Sequence, residues 1–305
     1  MEKITLHAGG YIAWICPDQG ANCIRLRHEK TGADLLRTPP TDKILKESPN
    51  VYGMPLLFPP NRILDGQYTF NGRTYDFPIN EPARHHHIHG FLSSTPFAVE
   101  EHREDYARFA FHATRENPYL QFPHEFSVTL EFSLDENGLH QTLTVKNLSS
   151  SPMPFGAGFH TALRVPFLPD GDAGDCVLSV TAGKRWLYDD RIIPTGEVQS
   201  AEKFRRGVHA AHTVIGAHLD MGKGGGTAIL ADEKTGAKII YEVSEGYRFW
   251  MLFNQGGEMG YVCPEPQTWI VDAPNRPFPP EISGFDAIQP GDQRVFTAHI
   301  RLETS

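Results

Sequence analysis

The chain has 305 residues and a formal net charge of −9, from 28 Lys and Arg against 37 Asp and Glu. That length allows one large domain or two smaller ones, and the acidic balance argues against a phosphate-binding or nucleic-acid-binding face. A 40% hydrophobic share, a 21% charged share and the lack of any long apolar run are those of an ordinary soluble globule with no membrane segment.

The first ten residues, MEKITLHAGG, carry no apolar signal core, so a cytoplasmic location is expected. Cys16, Cys23, Cys176 and Cys263 match no common zinc spacing and read as free buried thiols. With 28 Gly and 24 Pro, the chain is densely punctuated for a helical protein.

The apolar run MPLLFPP ends on Asn61-Arg62-Ile63. QYTF and RTYDF then flank Asn71-Gly72, the strongest short signal for a hairpin turn. Four histidines follow within five positions, His85, His86, His87 and His89. If that stretch is extended, His85, His87 and His89 share one face. The stretch can be read as a zinc site, a solvated loop or the seat of one functional imidazole. No acidic or cysteine partner stands at a recognised spacing to complete a metal set.

FSVTLEFSL places Phe126, Val128, Leu130, Phe132 and Leu134 on one face. After the turn DENG, LHQTLTV returns Leu139, Leu143 and Val145 to that face, which predicts a β-hairpin. FGAGFHTALRVPF isolates His160 among small and apolar residues, where a satisfied core histidine is the plain alternative to a working one. IGAHLDMGKGGGTAIL carries Asp220 ahead of a glycine run, and the lack of a GK[ST] ending argues against a phosphate loop. TAIL and AKIIYEV flank another predicted hairpin. Glu265 stands between two prolines in GYVCPEPQTWIVDAPN, a setting more usual for a loop at a strand end. RVFTAHIRL alternates Phe296, Ala298, Ile300 and Leu302 as a closing strand. No amphipathic helix longer than about three turns is predicted. Short strands with polar turns, and no repeat or linker, predict one all-β antiparallel domain over residues 1–305.

Taken in order, these islands resemble one family, aldose 1-epimerase or galactose mutarotase. The matching features are the NRI…G…Y block at 61–75, the N…HG at 80–90, His160 after a hairpin, Asp220 in LD before a turn, and EPQTWIVDAPNRPFP…IQPGD near the end. CPDQGANCIRLRHEKTGADLLR is similar to the family's opening strands, so the likeness spans nearly the whole chain. It implies a large antiparallel β-sandwich of the galactose-mutarotase type, a supersandwich. The implied activity interconverts the α and β anomers of a free sugar, with neither metal nor cofactor, in a monomer or homodimer.

The same resemblance implies Glu265 as base, His160 as acid and His89 as a neighbouring acid or sugar contact. It gives Asn61, Arg62 and Asp220 the sugar hydroxyls. Two departures alter the pocket wall. The family often reads His-Pro/Thr-Tyr-Phe where His160 is followed here by Thr161, Ala162 and Leu163, and Phe91 stands where a second glycine often follows His-Gly. Three other readings stay open: a non-catalytic sugar-binding paralogue, a glycoside hydrolase using Asp220 with Glu265, and a metal-dependent sugar isomerase. The acidic charge leans against sugar phosphates.

Overall fold

The computed structural model describes all residues except 120, 121, 223 and 305. The alternation over 126–145 becomes two ten-residue strands, Phe126–Asp135 and Gly138–Asn147, paired from Phe126↔Asn147 to Asp135↔Gly138. Their apolar positions bury on one face while the residues between them stay partly exposed, as a half-covered antiparallel sheet requires. These two strands lie within a nine-stranded antiparallel sheet. The predicted closing strand, Gln293–Glu303, enters between Gly138–Asn147 and Lys238–Val243, so the end of the chain fills the middle of the sheet.

Both smaller hairpins form. Tyr68 pairs with Tyr75 around Asn71 and Gly72, which adopt φ of 49° and 74°. Two consecutive left-handed residues make the turn whose twist matches its strands, and Asn-Gly is the pair that enters it most easily. Gly226–Asp232 pairs with Lys238–Val243, and the Asp232 carboxylate closes the turn by accepting from the Thr235 N–H and hydroxyl. The only α-helical segments among the described residues are the short turns Asp42–Glu47, Glu202–Arg206 and Pro280–Ser283.

The second large sheet has eight strands and includes, side by side, Lys184–Tyr188, Gly216–Asp220, Phe249–Phe253 and Tyr261–Gln267. One face turns toward the nine-stranded sheet and contributes Leu219, Trp250, Leu252 and Val262 to the shared core. Trp250 meets Tyr241 edge-on at 5.8 Å, and the Tyr241 hydroxyl lies 3.0 Å from that of Thr161. Truncating a fully buried indole of this kind costs about 3–5 kcal/mol. Opposed residues in an antiparallel ladder point the same way, so the partners His218↔Met251↔Glu265 and Phe249↔Gln267 share the other face. Glu265 is thereby held on a rigid strand with its carboxylate turned away from the core.

Candidate active site

Strand Tyr261–Gln267 is buried along its whole length and runs through both prolines, so Glu265 is a strand residue and not the loop residue its flanks suggest. Alternation sends Val262 to the core while Glu265 and Gln267 share the opposite face. The Gln267 amide donates to Glu265 Oε2 at 3.2 Å and accepts from Asn61 Nδ2 at 3.3 Å.

His160 arrives from the short strand Gly158–Phe159, which lies against the Glu265 strand. A Cβ on Gly158 would stand 2.7 Å from the Pro266 carbonyl oxygen, so only glycine permits this approach. His160 Nε2 lies 3.1 Å from Glu265 Oε1. His89 closes the group, with its ring edge-on to His160 at a centroid distance of 5.4 Å. The Asn61 N–H donates to His89 Nδ1 at 3.3 Å, which places the His89 proton on Nε2 as a donor.

These groups line one cavity of about 520 Å³, within the usual range for small-molecule sites. Asn61, Arg62, His89, His160 and Glu265 all border it, together with Arg84 and Tyr188 and the apolar Ile88, Ile192, Met251 and Phe253. Five of the six sequence-predicted site residues therefore meet at one place. Asp220, the sixth, is not among the residues lining the cavity. Its carboxylate accepts from the Gly222 N–H at the end of its own strand, and Gly216 and Ala217 of that strand border the cavity instead. The structure thus does not bring Asp220 to the cavity wall beside the other five. Glu265 is the only carboxylate among the described lining residues.

Arg62 reaches the cavity already engaged. Its Nε and Nη2 donate to the two oxygens of Glu81 at 2.7 and 2.8 Å, and Nη1 donates to Asn61 Oδ1 at 3.3 Å. It faces the cavity as a fixed guanidinium plate and not as a free fork.

The histidine stretch does not stay extended. Only His86–Ile88 is strand, and His85 and His89 sit at either end with φ of 55° and 68°. Each left-handed residue rotates the chain, so His85, His87 and His89 do not share a face. His85 is solvated and pairs with Asp65, as the solvated-loop reading allows, whereas His86 and His87 are both fully buried. Their ring nitrogens contact the carbonyls of Arg191 at 2.9 Å and Pro78 at 2.8 Å. No group of three or more His, Cys, Asp or Glu among the described residues is arranged to hold a metal ion.

Burial governs the charges. It pushes the Glu265 carboxyl well above the usual carboxylate range, and the Gln267 amide and nearby Arg62 only partly offset it. Burial likewise brings the His160 imidazole down to about 4 and holds His89 well below its ordinary value. An acid driven to stay protonated beside a base driven to stay neutral gives a pair that carries one proton over a wide pH range.

The large antiparallel β-sandwich thus carries a buried carboxylate–imidazole pair at a cavity of small-molecule size. Residues 2–298 match the family model for aldose 1-epimerase, and the chain belongs to that family. A solved galactose mutarotase-like protein from Clostridium acetobutylicum is 34% identical, with a TM-score of 0.94 over 99% of this chain and 95% of that one. Another, from Lactobacillus casei, shares the fold at 21% identity and a TM-score of 0.76, over 99% of this chain and all of its own. Among curated proteins, YihR of Escherichia coli K12 is 26% identical over 196 residues, 64% of this chain and 59% of YihR.

Proposed function

We propose that the protein is a mutarotase, interconverting the α and β anomers of a free aldose by general acid–base ring opening. The observation that carries this reading is the 3.1 Å approach of His160 Nε2 to Glu265 Oε1 inside the cavity. The two oxygens that exchange protons in a cyclic hemiacetal, the C1 hydroxyl and the ring oxygen, are bonded to one carbon. An acid and a base serving them must therefore stand close together, as these do.

In the reactive arrangement Glu265 is the carboxylate and His160 the imidazolium, the same one-proton pair with its proton on nitrogen. Glu265 takes the C1 hydroxyl proton, the electron pair forms the aldehyde C=O, the bond from C1 to the ring oxygen breaks, and His160 delivers a proton to that oxygen. Rotation about C1–C2 presents the other aldehyde face. Reclosure runs the transfers backwards: the imidazole recovers the proton from the chain hydroxyl and Glu265 returns one to the new C1 hydroxyl. Atoms and charge balance within the pair. His89 Nε2–H and the Arg62 plate supply donors to sugar oxygens, and each general acid–base transfer is worth about 10²–10⁴-fold.

The testing experiment is exchange spectroscopy or polarimetry on freshly dissolved α-glucose, α-galactose and a panel of rarer aldoses. Acceleration over the buffer rate for at least one aldose is expected. Tight sugar binding without any acceleration would instead identify a sugar-binding paralogue.

A further inference from the structure

The proton transfers leave Tyr188, a polar group of the cavity, without a role. Tyr188 ends strand Lys184–Tyr188 and lines the cavity, and its phenolic oxygen is shut off from water without a hydrogen-bond partner among the described residues. The ring is fixed in place: it stacks on His218 at 5.9 Å with the planes 6° apart, and His218 packs in turn on Phe249 at 5.1 Å. Burial holds this hydroxyl well above the ordinary tyrosine range, with the charges of Arg62, Glu265 and Arg185 acting on it more weakly. A buried hydroxyl left unpaired is costly, and native structures rarely keep one without something to pair it.

The other polar groups of the cavity are largely spoken for. Arg62 is held by Glu81 and Asn61, the Asn61 amide by Gln267, and Glu265 by Gln267 and His160. Much of the remaining wall is apolar: Ile88, Ile192, Met251 and Phe253. A sugar entering this cavity thus meets few free hydrogen-bonding partners, and Tyr188 is one that can both donate and accept.

The segment after Tyr188 is fastened as if its position mattered. The Asp189 carboxylate accepts from the N–H groups of Arg191 and Ile193 at 2.9 Å each. Ile192 is forced to φ of 62°, a conformation a β-branched residue rarely adopts, and its side chain reaches the cavity. Between them Arg191 acts as the clamp: it donates to Asp65 at 2.6 Å and to the Arg84 carbonyl at 3.0 Å, and its own carbonyl accepts from His86 Nε2 at 2.9 Å.

Resting on the mutarotase reading, we propose that Tyr188 is a specificity-determining contact of this site, its hydroxyl hydrogen-bonding one substrate hydroxyl other than the C1 hydroxyl. Arg191 is the positioning residue that holds the Tyr188–Ile192 wall. The substrate class that fits is a neutral aldose offering one hydroxyl to this wall and an otherwise apolar surface to Met251 and Phe253.

The test is Tyr188→Phe, which keeps the ring and its stack and removes only the oxygen, assayed beside the wild type on the best aldose and its monodeoxy analogues. KM for the full sugar should rise about tenfold with kcat within threefold, the pattern of a contact made equally in ground and transition states. For the one analogue lacking the contacted hydroxyl the two proteins should behave alike. Arg191→Ala should raise KM in the wild-type background and add little to Tyr188→Phe. An active wild type with Tyr188→Phe unchanged on every sugar overturns the Tyr188 assignment alone, as does an equal loss on every analogue. A wild type that accelerates no aldose overturns the mutarotase reading and this assignment with it.

Discussion

His218 offers a quantitative test of how burial sets charge beside the site. It is fully buried on the Glu265 face, both ring nitrogens lack a hydrogen-bond partner among the described residues, and desolvation alone brings its imidazole down to about 3. An unfolded histidine titrates near 6.5. Because the folded pKa is depressed, the native state loses nothing to this group above pH 6.5 and is progressively destabilised as pH falls from 6.5 toward 3. At pH 4 the unfolded chain gains a proton that the folded chain refuses, an offset of about 2.5 units, or about 3 kcal/mol at 1.36 kcal/mol per unit. His218→Phe removes the titration and keeps an aromatic ring between Tyr188 and Phe249. Urea denaturation of both proteins at pH 7.5 and pH 4 isolates the effect, since His160 and His124, each brought down to about 4, are common to both. The stability of His218→Phe relative to wild type should grow by about 3 kcal/mol between the two pH values. Growth below about 1 kcal/mol would show that His218 is protonated or water-linked in the native protein, and would refute the reasoning.

Two further outcomes bear on catalysis. Gln267→Leu deletes the donor to Glu265 Oε2, which disfavours the carboxylate. It should lower kcat about tenfold at neutral pH and move the alkaline limb of the pH–rate profile upward, and an unmoved limb would remove Gln267 from the account. Exhaustive chelation should leave anomer exchange unchanged, whereas loss restored by added zinc would favour a metal-dependent isomerase.

Much of the sheet framework was legible because its signals are local. Period-two alternation over 126–145 and 294–302, and the Asn71-Gly72 turn, are written in adjacent residues and appear as read. The site was legible only through motif order, since Glu265 and His160 meet by sheet pairing across more than a hundred residues of chain. What escaped depends on backbone torsions or distant partners. Nothing in HHHIH announces that His85 and His89 take left-handed φ, and that rotation separates the imidazoles. Arg62 reads as a free sugar ligand until Glu81 is seen folded against it. Nothing in HLD announces that the Asp220 carboxylate accepts from the Gly222 N–H at the end of its own strand. Gln267 could have been found, because it stands two residues from Glu265 and a strand returns i+2 to the same face. Tyr188 carried no such cue, since a separate strand brings it to the cavity wall.

The central claim is that Glu265 and His160 exchange protons with one anomeric centre. It is tested most directly by the anomer exchange rate of Glu265→Gln, measured by NMR on the best aldose, with sugar binding and folding checked in parallel. The glutamine keeps shape and hydrogen bonding but cannot accept the C1 hydroxyl proton, so kcat should fall at least about a hundredfold while the sugar still binds. His160→Asn should fall comparably, and the double variant by much less than the product of the two losses, because the pair acts as a unit. Exchange by folded Glu265→Gln within about threefold of the parent would contradict the account.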